Sequence, residues 1–224
     1  MVNKTKRKIG NIYTPVSEGF WIVEGVKDKG KTANYRIFEK MALAMNPDDL
    51  INYSIKEKEK GNPYLGSAPL NMALFSRAEE LSHKNIEGID SLRNFFRRGL
   101  EKFPYTLSRA VYNPQGEIDK AVHNYGTSDE YVLEENLVGK DGWIKDISDK
   151  EVLTAIFGTE DIKKINEVFQ WINQTNAYLW RLNSKPSKRD ERVVGFDASP
   201  GRLLLDCLWD PAIRYPAFRV LKVN

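Results

Sequence analysis

The chain has 224 residues, 41% hydrophobic and 29% charged, with five Trp and ten each of Tyr and Phe. Such a composition buries a core without disulfide or metal staples and is not that of a disordered polymer. A lone cysteine, Cys207, excludes an internal disulfide and a Cys-based zinc site, and no apolar run approaches the ~20 residues of a membrane span.

The net charge is +3, yet Lys4, Lys6, Arg7 and Lys8 put four positive charges into an acid-free first ten residues, so the rest of the chain is close to neutral. The basic character therefore belongs to the lead-in. These features point to a cytoplasmic protein without membrane contact, built as a flexible basic lead-in (1–17) and a single domain (18–224).

Residues 20–26 read as a strand with Trp21 and Val23 on one side and Ile22 on the other. Residues 27–31 form a charged turn containing Gly30. Residues 35–38 form a returning strand, and a short helix reaches Met45. Asn46-Pro47-Asp48-Asp49 is a helix start: Asn46 caps, Pro47 takes the first helical position, and two acids meet the positive end of the dipole. Gly61 stops that helix, and a loop runs over 62–69. A helix over 70–82 carries Met72, Phe75 and Leu81. Another over 90–103 turns Leu92, Phe95, Phe96 and Leu100 inward, and Pro104 ends it.

Residues 105–125 read as a β-hairpin around Asn113-Pro114-Gln115-Gly116. Ser148 and Glu151 form a capping box for a helix that Gly158 stops. Thr159 caps the next helix, with Ile162, Ile165, Val168, Phe169 and Ile172 on its apolar face. Strands over 177–182, 192–197, 202–208 and 217–223 follow with short connections, which favours an antiparallel meander. The expected fold is α+β: a helical N-terminal half, a central β-hairpin, two helices and a C-terminal antiparallel β-meander of about four strands.

Gly25-Val26-Lys27-Asp28-Lys29-Gly30-Lys31-Thr32 satisfies the pattern of a phosphate-binding loop after a strand and resembles the Walker A element of P-loop NTPases. The resemblance implies a nucleotide-binding enzyme. Gly25 and Gly30 would let backbone N–H groups wrap a phosphate, Lys31 would neutralise the outer phosphates, and Thr32 would hold Mg²⁺. Leu203-Leu204-Leu205-Asp206 looks like the accompanying Walker B strand and acid. The competing reading is a β-hairpin with Asp28-Lys29-Gly30 at its tip. It is favoured by the repulsion of phosphate by Asp28 and by the lack of repeated strand–helix units.

Strand alternation over 117–123 puts Ile118 and Val122 toward the core and Glu117, Asp119 and His123 on the other face. Tyr112 and Ser108 join that face from the partner strand in the simplest register. Imidazole beside a carboxylate suits general acid–base chemistry, and His123 with Asp119 and Tyr112 forms the candidate catalytic set for metal-independent phosphodiester cleavage. Polar residues on a solvated strand are the plainer alternative. His83, near a helix end, receives no role. No His-Glu-x-x-His, Cys-x-x-Cys or nucleophile elbow occurs, and no cofactor is indicated. Val193-Val194-Gly195-Phe196-Asp197 resembles the first strand of RNase H-like nucleases, which implies an Asp197–Asp206 carboxylate pair for Mg²⁺. Only 27 residues follow Asp197.

Three basic groups complete the inventory. They are Lys6, Arg7 and Lys8 of the lead-in; Arg93, Arg97, Arg98 and Lys102 of one helix; and Lys185, Lys188, Arg189 and Arg192 of one loop. Such clusters attract phosphate backbones, and Tyr105, Tyr112, Trp143 and Trp209 offer rings for unpaired bases. The leading expectation is a protein associated with RNA or DNA through these groups, in one version a ribonuclease-type enzyme. The alternatives are a P-loop-like nucleotide-binding enzyme and a non-enzymatic structural or adaptor protein. The sequence leaves open whether the protein is an enzyme.

Overall fold

A computed structural model describes residues 19–84, 86–199 and 201–223. The expected lead-in, with Lys6, Arg7 and Lys8, lies outside the described residues. The chain opens with strands β1 (Phe20–Asp28), β2 (Lys31–Phe38) and β3 (Ala42–Met45). Then come helix α1 (Pro47–Glu59), β4 (Tyr64–Leu65), and helices α2 (Ala68–Ser82) and α3 (Ile89–Leu100). The middle holds β5 (Tyr105–Tyr112), β6 (Lys120–His123), β7 (Tyr131–Glu134), β8 (Gly142–Trp143) and a 3₁₀ turn at Ile144–Asp146. Helices α4 (Glu151–Phe157) and α5 (Ile162–Asn173) precede β9 (Ala177–Trp180), β10 (Asp190–Ser199), β11 (Arg202–Trp209), β12 (Tyr215–Ala217) and β13 (Arg219–Val223).

The described chain is mixed α/β with five α-helices and thirteen strands in two sheets, which corrects the expected architecture. There is no helical N-terminal half, because three strands precede the first helix. Residues 42–45, Ala-Leu-Ala-Met, are good helix formers, yet they form β3 because β12 pairs with them; tertiary pairing overrides local propensity. The C-terminal strands are not a meander either. One sheet runs β1-β2-β13-β4, so the last strand closes against the first hairpin. The other runs β3-β12-β5-β10-β11-β9-β8, with β6 on β5 and β7 on β6. Strand β9 lies parallel to β11. No helix among the described residues is long and apolar enough to cross a membrane.

One large core joins the inner faces of both sheets to α2–α5. Trp21, Val23, Tyr35, Ile37 and Val220 enter from the first sheet, and Ala110, Tyr112, Phe196, Leu205 and Cys207 from the second. Its hub is Phe75 of α2, whose ring packs at 4.8 Å on Phe96, 5.4 Å on Phe196 and 5.8 Å on Phe218. A smaller core lies on the other face of the second sheet, where Leu50 and Ile51 of α1 cover Tyr105, Leu107 and Val193. Arg181 is buried in a two-pronged pair with Asp149, at 2.7 and 3.0 Å. Asn46 caps α1 as expected, accepting from the Asp49 N–H at 2.8 Å.

The segment with the phosphate-loop pattern is a hairpin, which overturns the P-loop geometry: Lys31 and Thr32 begin a strand where that loop must enter a helix. Asp28 pairs with Lys31, Lys27 with Thr32 and Val26 with Ala33. The turn residues Lys29 and Gly30 have φ of 49° and 70°, both positive as a type I′ turn requires. Gly25, with φ 72°, sits at a bulge between Val23 and Val26, where its N–H donates to Asn34 Oδ1 at 2.9 Å. Both glycines answer the twist of a hairpin. A Cβ at Gly30 would meet nothing within 4 Å, so Gly30→Ala tests the turn alone. It is expected to cost about 1 kcal/mol through backbone strain, read as a lower urea midpoint with unchanged slope. An unchanged midpoint would contradict the turn assignment.

Candidate functional site

The tip of this hairpin stands between two depressions. The first, of about 740 Å³, is lined by Pro69, Met72, Ala73, Phe157, Leu133 and Tyr131, with Arg77, Glu80 and Lys164 at its wall. The second, of about 510 Å³, is lined by Lys29, Lys31, Lys58, Lys222, Tyr35 and Tyr64, with Asp28, Asp129 and Glu130. Asp28 and Lys29 line both. Both volumes fall in the range of roughly 300–1,000 Å³ common for ligand sites. We call them the apolar lobe and the lysine lobe.

Register explains the lysine lobe. Asp28 faces Lys31 across β1–β2, and Lys222 faces Tyr35 across β13–β2, so alternation brings Asp28, Lys31, Tyr35 and Lys222 to one sheet face. Lys58 of α1 pairs with Asp129 in this lobe. Among the described residues Lys29, Lys31 and Lys222 enter no ion pair closer than 4 Å. Burial raises the Asp28 carboxyl above its ordinary value, against the pull of Lys29 and Lys222 beside it. Burial also lowers the Lys29 ammonium, against the pull of Asp28 and Asp129. Lys29 and Lys222 thus act on the Asp28 carboxylate, and Lys29 also on Asp129.

Ion pairs hold Arg77 and Lys164 at the wall of the apolar lobe, which Lys27 and Asp161 also line. Arg77 donates to the Glu24 carbonyl at 2.7 Å and pairs with Glu80 at 3.0 Å. Lys164 binds the buried Glu79 at 2.6 Å and Glu80 at 3.4 Å. Gly25 makes room for the Arg77 guanidinium, which would lie 3.2 Å from a Cβ there. Between the lobes, the Lys29 ammonium sits 3.5 Å from the Tyr131 ring centroid. That ring also packs against His123 at 4.9 Å, and its hydroxyl hydrogen-bonds with the Ser67 side chain.

His123 is fully buried behind this wall, and the expected polar strand face does not form. Strand β6 spans only Lys120–His123. The faces are the reverse of those expected: Ile118, expected in the core, is 46% exposed, while Asp119 is fully buried. The Ser108–His123 register does occur. Ser108 Oγ accepts the Ala68 N–H at 2.9 Å and donates to His123 Nδ1 at 2.8 Å. His123 Nε2–H donates to the Ala155 carbonyl at 2.7 Å. This relay ties the start of α2, β5, β6 and α4 together, and burial pushes the imidazole down to about 4.

Asp119 accepts from the Asn113 and Leu137 N–H groups at 2.7 and 3.0 Å and from Lys185 at 2.6 Å. Tyr112 is buried and donates to the Cys207 carbonyl at 3.2 Å. The three side chains of the candidate catalytic set are therefore each engaged with separate structural partners.

The basic groups fare unevenly. Arg97 and Arg98 are exposed on α3 and Lys102 just beyond its end, and Arg93 is half-buried. In the second loop Lys185 is held by Asp119, Arg189 by Glu191 at 3.3 Å and Arg192 by Asp190 at 2.8 Å, while Lys188 is exposed. Tyr105 is buried, Trp143 packs edge-on against Tyr178, and Trp209 lies across Gly195. Asp197 and Asp206 do occupy adjacent strands, one diagonal apart, since Asp197 faces Leu204 and Gly195 faces Asp206. Among the described residues no group of three or more His, Cys, Asp or Glu is placed to hold a metal.

Sequence reasoning missed Tyr131, Lys58 and Lys222, which reach the hairpin tip from distant stretches. The chain matches no family model, no curated protein and no solved structure.

Proposed function

We propose that the protein binds a phosphate-bearing ligand in the lysine lobe, supplied either as a free nucleotide or as a nucleic-acid strand. The observation that carries this reading is the gathering of Lys29, Lys31 and Lys222 in one lobe beside the half-buried Asp28. The lobe sets four lysines against three acids, the exposed Lys29, Lys31 and Lys222 make no ion pair within 4 Å among the described residues, and phosphate oxygens match ammonium donors. The nucleic-acid association expected from sequence is kept, with its contacts moved from the α3 and 185–192 clusters to the hairpin tip. No cleavage step is proposed, because His123 has both ring nitrogens engaged and no exposure to solvent.

Binding of a fluorescein-labelled oligothymidylate, of ATP and of tripolyphosphate tests the reading and separates the two sources. At low salt at least one probe is expected to bind, and its affinity is expected to fall as salt rises. Lys31→Glu and Lys222→Glu are each expected to weaken it about tenfold or more, whereas Arg97→Glu leaves it within twofold. No binding by any probe, salt-independent binding, or a larger loss from Arg97→Glu would overturn the assignment. Preference for the oligonucleotide over ATP identifies a strand as the ligand, and the reverse a free nucleotide.

A further inference from the structure

We infer that the apolar lobe holds the planar base of that same ligand, stacked on the face of Tyr131 that Lys29 now covers. The inference rests on the phosphate reading above. Asp28 and Lys29 line both depressions, so one ligand straddling the hairpin tip meets lysines on one side and Met72, Phe157 and Leu133 on the other. A ligand that is anionic at one end and flat and apolar at the other fits this pair of surfaces, and a nucleoside phosphate has that form. An inorganic phosphate chain leaves the apolar lobe empty.

Lys29 links the two halves. Its ammonium rests 3.5 Å from the Tyr131 ring centroid, a contact of modest strength for an exposed lysine. A phosphate in the lysine lobe is a stronger partner for the same charge. Turning the flexible Lys29 side chain to the phosphate uncovers the Tyr131 face, and a base takes its place there. The ring is already fixed by His123 and Ser67, so the platform loses little freedom when a base stacks on it. The chemistry selects for a flat ring joined to phosphate and leaves the identity of the base to the polar groups of the lobe, among them Ser76 and Thr154.

Titration calorimetry with tripolyphosphate and with each of the four ribonucleoside triphosphates tests this. At least one nucleotide is expected to bind about tenfold tighter than tripolyphosphate, the scale of one base–aromatic stack. Tyr131→Ala is expected to remove that advantage, and Tyr131→Phe, which keeps the ring and loses only the Ser67 hydrogen bond, to retain it. Leu133 is 38% exposed, so Leu133→Glu leaves the fold intact and is expected to cut nucleotide affinity more than tripolyphosphate affinity. Equal affinity for tripolyphosphate and all four nucleotides, or an advantage that survives both Tyr131→Ala and Leu133→Glu, overturns the base-lobe inference while leaving phosphate binding standing. Failure of every one of these probes overturns the base-lobe inference, and failure of the oligothymidylate as well overturns both.

Discussion

Asp206→Asn is expected to stabilise the folded protein at pH 8 by up to about 4 kcal/mol, from a raised folded-state pKa worth about 1.4 kcal/mol per unit. Asp206 is 6% exposed on β11. Burial pushes its carboxyl up to about 7, with Asp197 and Asp141 adding repulsion, although the Leu208 N–H at 2.8 Å and the Trp209 side chain donate to it. Below about pH 3 the carboxyl is largely protonated in folded and unfolded chains alike, and it costs little. As pH rises toward 7 the unfolded chain ionises while the folded one does not, so stability falls; above 7 the penalty is constant. Asparagine keeps an acceptor oxygen and removes the charge. The variant-minus-parent difference in unfolding free energy is therefore expected near zero at about pH 3 and maximal above pH 7. A difference that does not change with pH would show that Asp206 ionises normally.

The opposite pH signature is expected at His123. His123→Ala deletes a buried ring and strands the Ser108 hydroxyl and the Ala155 carbonyl, which costs about 4 kcal/mol at pH 7.5. In the parent protein the imidazole's folded value of about 4 lies below its ordinary 6.5. Its stabilising contribution is fully present above about pH 6.5 and is lost as pH falls through 4, because the unfolded chain gains a proton that the buried ring refuses. The deficit of the variant is thus expected to shrink between pH 7 and pH 4, by about 3 kcal/mol at most. Urea unfolding at both pH values measures it. A deficit that grows on acidification would contradict a neutral, structural histidine.

Local chemistry was largely legible in the sequence, and long-range pairing was not. The Asn46 cap, the inward faces of α3 and α5, the Gly158 stop and the two sides of β1 follow from signals within a few residues. The Ser148–Glu151 box misled. Helix α4 starts at Glu151 without a side-chain cap, and α5 is capped by Asp161 in place of Thr159, accepting the Lys164 N–H at 2.9 Å. The closure of β13 on β2 joins residues nearly two hundred positions apart, and no local period announces it.

The candidate site divided the same way. The segment 25–32 stood out for its glycines and lysines, which prove to serve a bulge and a I′ turn. That same hairpin tip nonetheless borders both lobes. What made the lobe basic, Lys222 and Lys58, came from the end of the chain and from α1, where each was one lysine among many. His123 falls on the outer face only when the apolar Ile118 and Val122 are taken as the inward side of 117–123. The strand's odd face is the core face, and a histidine is tolerated there because Ser108 and Ala155 satisfy both of its nitrogens.

Amide chemical-shift mapping with tripolyphosphate reports directly on where an anion sits. Saturable shifts are expected at Lys29, Lys31 and Lys222, with Arg97, Arg98, Lys102 and residues 185–192 unmoved. Shifts centred on α3 or on the 185–192 loop, with the hairpin tip silent, would contradict an anion site in the lysine lobe.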